Sequence, residues 1–274
     1  MSFLLSYLLA AAIGYLGYRA RALSASGAVA ACLVGGTVFG FGGMSAALLL
    51  VAFFVSSTLL SFYRAGDPAK HRASETFDKG GRRDAAQVVA NGGVAALAVL
   101  LFYFFPSVYF SGAFVGALAA ATADTWATEV GVLSKQGPRL ITTGARVRAG
   151  TSGAVTLLGS AAATAGALFI GLVAGLLGRF PEGMYFPVGS LVAVVGIALI
   201  GGTAGSVADS LMGATIQASY YCPTCDKPTE SKVHRCGTRT TLTRGFAWVN
   251  NDLVNLAATV TGALVCGAVA LVLL

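Results

Sequence analysis

Runs of about 20 consecutive apolar residues follow one another along almost the whole chain, and this narrows the available folds to very few. That length is what an α-helix needs to cross a bilayer. Only helices and closed barrels satisfy every backbone polar group inside lipid. A barrel would alternate polar and apolar residues over segments of about ten, which this sequence does not do. Of 274 residues, 56% are hydrophobic and 11% charged, whereas soluble domains carry about 25% charged residues. The sequence therefore predicts an all-α fold, a polytopic transmembrane helical bundle forming a single domain over 1–274. The first segment, 3–18, lacks a basic start and an A-x-A cleavage site, so it reads as a retained helix. The abundant glycines fit helices whose backbones pack closely.

Eight spans are expected, at 3–18, 25–41, 43–63, 85–105, 109–133, 153–178, 188–215 and 248–273, with Gly40, Gly42 and Gly43 breaking an apolar stretch too long for one helix. Arg19 and Arg21 follow the first span, and Arg64, Lys70, Arg72, Lys79, Arg82 and Arg83 the third. Lys135, Arg139, Arg146 and Arg148 follow the fifth, and Lys227, Lys232, Arg235, Arg239 and Arg244 the seventh. Of the 18 Lys and Arg residues, only Arg179 falls on the other side. By the positive-inside rule the basic loops are cytoplasmic and both termini lie outside, in a cytoplasmic membrane. The net charge of +7 is explained by this topology and by contact with anionic headgroups.

The same map gathers polar residues at one depth, near the cytoplasmic headgroups. Charge inside hydrocarbon costs about 2.5–3.5 kcal/mol on insertion scales, so such residues are expected to be partnered or functional. In KGGRRDAAQVVANGG (79–93), Lys79, Arg82 and Arg83 precede a helix start at Asp84, an arrangement suited to phosphate. Asp84 also fits a simple helix cap. Asn91, seven residues on and on the same face, is not explained by capping. In ATADTWATEVG (121–131), Asp124 and Glu129 are five apart and splayed by about 140° on an ideal helix. Two cations, or one held through water, would suit them, and oxygen ligands with retained waters are the habit of Mg²⁺ at phosphate sites. The alternative is a structural carboxylate paired with Arg from a neighbouring helix.

GGTAGSVADSLMG (201–213) puts Asp209 on a narrow face with Gly202, Gly205, Ser206 and Gly213, either a tight helix contact or a groove wall bearing a metal ligand. RAGTSG (148–153) resembles a phosphate-cradling turn, with Thr151 and Ser152 opening the sixth span and Arg146 and Arg148 nearby. VNNDLVN (249–255) brings Asn251, Asp252 and Asn255 within about a 100° arc. Asn and Asp cap helices readily, but Asn255, a turn deeper, needs a partner.

Of five cysteines, Cys32 and Cys266 lie in spans as packing residues. Cys222, Cys225, His234 and Cys236 share the polar loop 215–245 as CPTC followed by HRC, the ligand set and spacing of a structural Zn²⁺ site, with free thiols as the alternative. A reducing cytoplasm argues against a disulfide. No P-loop, kinase catalytic loop or Rossmann fingerprint is present, so any nucleotide must be held by the membrane-embedded residues themselves.

KGGRRDAAQVVANGG, ATADTWATEVG, GTSG, the Asp209 segment and NNDLVN, in this order and hydropathy, resemble the integral-membrane family that includes plant phytyl-phosphate kinase. The likeness covers nearly the whole chain. It implies CTP-dependent, Mg²⁺-dependent phosphorylation of a membrane isoprenyl monophosphate to its diphosphate. Functional weight then falls on Asp84, Asn91, Asp124, Glu129, Thr151, Ser152, Asp209, Asn251, Asp252 and Asn255. The CPTC and HRC loop is not a required part of that pattern.

The chemistry of such a reaction agrees. Two anions must meet, so cations have to neutralise repulsion and developing charge. Asp124, Glu129 and Asp209 are the expected Mg²⁺ ligands, and Asp84 and Asp252 complete the shell or position the nucleotide. Lys79, Arg82, Arg83, Arg146 and Arg148 bind phosphates, while Asn91, Asn251 and Asn255 orient phosphates or the base. The partners are thus a lipid phosphate, a nucleoside triphosphate and the membrane, with no nucleic acid. Two alternatives are a cytidylyltransferase making a CDP-activated lipid and a lipid-phosphate transporter or flippase. The latter would want charge at mid-bilayer.

Overall fold

The computed structural model describes residues 3–74, 76, 81–178 and 191–273. Its helices are α1 (Phe3–Arg19), α2 (Ala25–Phe62), α3 (Pro68–Ser74), α4 (Ala85–Phe104), α5 (Val108–Gly131), α6 (Leu157–Leu177), α7 (Leu191–Thr215) and α8 (Asn251–Leu273). Two small sheets interrupt them. β1 (Arg139–Leu140) pairs antiparallel with β2 (Ala154–Val155). β3 (Ser219–Cys222) lies between β4 (Lys227–Thr229) and β5 (Thr241–Arg244), antiparallel to both.

Five described helices, α2, α4, α6, α7 and α8, are long and apolar enough to cross a membrane. Their outward faces carry exposed Val29, Leu59, Leu97, Leu157, Val192 and Leu264. So much exposed aliphatic surface would drive association in water and is at home against lipid. α5 is the central helix, rich in Ala, Gly and Thr, and packs against α2, α4, α6, α7 and α8. Every residue from Ser111 to Ala123 is buried.

α2 contains the break expected near Gly40–Gly43. Gly43 adopts φ 72°, ψ −168°, a left-handed conformation that a side chain would strain. The chain reverses there. Ser24, before the first half, donates its N–H to Arg83 O, and Thr58, in the second half, accepts from Arg83 Nη1 at 3.2 Å. The turn itself lies at the opposite end of the bundle, where Phe41 packs on Phe3, Tyr103 and Phe104 and Ser45 bonds Leu177 O. Among the described residues, all Lys and Arg fall in segments at the Arg83 end. Lys79 and Arg179 lie outside the described residues.

Two helix starts fall later than expected: α8 begins at Asn251 and not at 248, and the sixth span shows the larger shift. α6 begins at Leu157, capped by Thr156 Oγ1 accepting from Gly159 N, and not at 153. Residues 139–155 form the β1–β2 hairpin, where Gly150 (φ +85°) and Gly153 (φ +80°) flank Thr151 and Ser152. Gly153 lies against the backbone of Ala214 on α7, leaving no room for a Cβ. Thr151 and Ser152 therefore occupy a turn ahead of the helix rather than its first turn.

Candidate functional site: a carboxylate centre between α5 and α7

α5 and α7 run in the same direction and touch through small residues. Gly202 sits against Ala119, and Gly205 against Ala120 and the Ala258 carbonyl of α8. One turn beyond that contact, Asp124 and Asp209 reach the same level, and their carboxyl groups lie within hydrogen-bonding reach of each other. The narrow face of α7 is thus the tight helix contact the sequence allowed, with Asp209 at its end. Asp209 Oδ2 is buried without a hydrogen-bond partner.

Glu230, from the β4 end of the Cys/His loop, is close enough to act electrostatically on Asp209. It accepts from Ser152 Oγ at 2.7 Å and from Gln217 Nε2 at 2.8 Å. Arg244 Nη2 donates to Ser152 O at 3.1 Å and to Gly213 O at 2.8 Å, clamping the hairpin to the end of α7. Burial pulls the Arg244 guanidinium below its ordinary value, and the Glu230 charge opposes that shift. Adjacent carboxylates without a cation repel or share a proton. An oxygen set of this kind, with an orphaned buried lone pair on Asp209, fits a hard divalent cation such as Mg²⁺.

Glu129 is differently placed. Lys70 Nζ on α3 donates to its Oε2 at 2.6 Å and to Leu60 O at 2.9 Å. Glu129 is thus paired with a cation from a neighbouring element, as the structural alternative had it, but the partner is a lysine and not an arginine. Arg83 also lies within electrostatic reach of Glu129, and burial pulls its guanidinium down while that carboxylate partly restores it. Arg83, Gln87 and Asn91 line the polar margin of a cavity of about 70 Å³ between α1, α2 and α4. The rest of that cavity is apolar, with Ile13, Leu23, Val34 and Phe53 among its walls.

The remaining expected residues spread around this end. Asp84 caps α4: its Oδ1 accepts from Gln87 N, and Gln87 Oε1 accepts from Asp84 N, a complete capping box. Asn250 Oδ1 accepts from Leu253 N, an ordinary helix-start contact. Asp252 and Asn255 share a face of α8 with Thr259, whose Oγ1 bonds Ala90 O of α4 at 2.9 Å, so that face turns toward α4. Asn251, Arg82, Arg146 and Arg148 are exposed. Sequence reasoning missed Lys70, Gln217, Glu230 and Arg244 as parts of the site. Glu230 was legible only as a carboxylate in a loop otherwise read for its cysteines.

In that loop, Cys222, Cys225, His234 and Cys236 bring one ligand atom each to within 4.8 Å of all the others. Cys222 and Cys236 Sγ are 3.7 Å apart, and His234 Nδ1 lies 3.1 Å from Cys236 Sγ. Hydrogen bonding with Thr238 and His234 brings the Cys236 thiol down to about 5, while the hydrogen bond between Cys225 and Cys236 pushes Cys225 up to about 11.

Fold and site together define a helical integral-membrane protein with a polar centre at one end of the bundle. The chain belongs to the family described as integral membrane protein DUF92, whose profile matches residues 8–263. It is 34% identical over 230 residues to Protein PGR of Arabidopsis thaliana, covering 78% of this chain and 79% of that protein. It is 31% identical over 250 residues to an uncharacterized membrane protein of Methanocaldococcus jannaschii, covering 90% and 85%. To Protein VTE6, chloroplastic, of Arabidopsis thaliana it is 26% identical over 251 residues, covering 89% of this chain and 64% of that protein. The family suspected from the motifs is therefore the right one. No solved structure matches the chain.

Proposed function

We propose that this protein is a membrane phosphotransferase that uses CTP and Mg²⁺ to convert an isoprenyl monophosphate to its diphosphate. The observation that carries the reading is the meeting of Asp124 and Asp209 from two helices, with one buried oxygen of Asp209 left without a partner. A carboxylate pair sunk in apolar helices is costly unless a cation neutralises it. Mg²⁺, held by Asp124 and Asp209 directly or through water, would supply charge neutralisation for the two meeting phosphates. The family resemblance in the motifs supports the choice of reaction, and the remote likeness to VTE6 is consistent with it.

In this reading eight segments span the bilayer, counting α2 as two, with both termini outside and the basic end in the cytoplasm. The lipid phosphate lies at that headgroup level with its tail toward the apolar cavity beside Arg83, Gln87 and Asn91. An oxygen of its phosphate attacks the γ-phosphorus of CTP. The new P–O bond forms as the β–γ bridging bond breaks, and CDP leaves with the electron pair. The acceptor is already anionic, so no strong general base is required. Arg83 and the exposed Arg82, Arg146 and Arg148 provide countercharge for the incoming nucleotide. Glu129, bound to Lys70, orders the α3–α5 contact and enters the metal shell only by exchanging that partner.

The test is incubation of the purified protein with Mg²⁺, CTP and a short isoprenyl phosphate, with products identified by mass. Isoprenyl diphosphate with CDP supports the reading. A CDP-lipid with pyrophosphate would shift it to cytidylyl transfer. No product with any nucleoside triphosphate, combined with vesicle transport of the lipid phosphate, would replace it by a transporter.

A further inference from the structure

We infer that Cys222, Cys225, His234 and Cys236 bind one zinc ion that folds the 219–244 loop and thereby holds Glu230 against the carboxylate centre. Three soft sulfurs and one imidazole are a set that zinc favours. In a tetrahedron with Zn–S bonds of about 2.3 Å, neighbouring sulfurs are about 3.8 Å apart. The Cys222–Cys236 separation of 3.7 Å already matches that edge. The widest ligand separation, 4.8 Å, closes onto an ion by movements of about 1 Å.

The backbone is shaped for the same purpose. Cys222 and Cys225 bracket one tight turn, and His234 and Cys236 bracket another. Each ends in a left-handed residue directly after its last ligand, Asp226 at φ 51° and Gly237 at φ +84°. The turns are joined by a bond between Thr224 Oγ1 and Thr238 Oγ1 at 2.9 Å. Hydrogen bonds from Gly237 N to His234 O and from His234 N to Thr238 O close the second turn. Two turns thus face each other across one point and present all four ligand atoms to it.

The loop also needs such a fastening. Its three strands are 4, 3 and 4 residues long, and Val233, Leu242, Phe246 and Trp248 are exposed. A sheet this small buries too little to stand alone, and a metal is a usual substitute for a core. Its order has consequences for the bundle. Glu230 N bonds Thr76 O, Glu230 receives Ser152 and Gln217, and Arg244 reaches Gly213. The inference does not depend on the reaction proposed above.

The experiment is metal analysis of the full-length protein purified in detergent without chelator, alongside Cys222→Ser, Cys236→Ser and a Cys32→Ser/Cys266→Ser control. About one zinc per chain is expected in wild type and control, falling at least about tenfold in either loop variant. Because a loop variant could fail to fold, wild-type protein is also stripped with a chelator. Amide exchange of residues 219–244 should then rise while α5 and α7 stay protected, and added zinc should restore the original pattern. Wild-type protein that is monodisperse but holds no stoichiometric zinc, that holds iron in its place, or that carries a Cys222–Cys236 disulfide would overturn the inference.

Discussion

Asp209 stands beside Asp124 because, one turn earlier on each helix, Gly205 rests on Ala120. The separation is four residues on both helices, and the helices run the same way, so a contact of small residues delivers a contact of carboxyl groups. Asp124→Asn and Asp209→Asn should each reduce turnover in the isoprenyl phosphate assay by at least about 100-fold. Membrane insertion and thermal stability in detergent should be unchanged or improved, since an amide relieves the repulsion between the two acids. Wild-type rates in both variants would remove these residues from the chemistry.

The small contact itself can be tested separately. A Cβ at Gly205 would run into Ala120 and approach Ala258 O to 2.8 Å. Gly205→Val forces α5, α7 and α8 apart and should destabilise the protein by about 1–3 kcal/mol, read as a lowered Tm in detergent. Activity should fall further than stability alone requires, because the two carboxyl groups separate.

Lys70 and Glu129 give a third prediction. Their side chains retain 10% and 25% exposure, so solvent screens part of the attraction. Lys70→Met alone, leaving Glu129 charged and half-buried, should cost about 2 kcal/mol. The double variant Lys70→Met/Glu129→Gln should recover most of that loss in thermal unfolding. If Glu129→Gln alone also keeps turnover within about threefold of wild type, Glu129 is a structural partner of Lys70 and not a metal ligand.

Arg244 clamps two carbonyls on different elements, Ser152 O and Gly213 O. Arg244→Met should release the β1–β2 hairpin from α7. Amide exchange should quicken across residues 139–155 and 213–217 with α4 and the α1–α2 turn unaffected. Arg244→Lys should rescue in part, because both bonds come from one nitrogen, Nη2, and an ammonium carries three donors.

Much of this was visible in the chain before any fold was known. Apolar length and basic loops marked the helices, and three glycines marked the reversal that Gly43 makes. Asp124 and Asp209 were each singled out, together with Glu129, but only the parallel register of α5 and α7 explains why the first two meet. What stayed hidden was tertiary. Lys70 read as one more topogenic charge, yet it lies 59 positions from the carboxylate it binds. Glu230 meets Ser152 across 78 positions, and no local pattern encodes such a pairing. The start of α6 was misread because a run of small residues resembles a membrane helix, whereas Gly150 and Gly153 take conformations no helix uses. Asp84 shows the converse: a simple cap was the plainer of two readings open to it, and a capping box with Gln87 is what forms.

The shared direction of α5 and α7 makes the acidic pair a matter of phase. Slipping both helices together by one residue would leave their partnership intact. Inserting a single alanine in α7 between Gly205 and Asp209 would swing that carboxyl about 100° around its axis while the glycine seam held. The seam would pack as before, and the acid beyond it would be left unmatched.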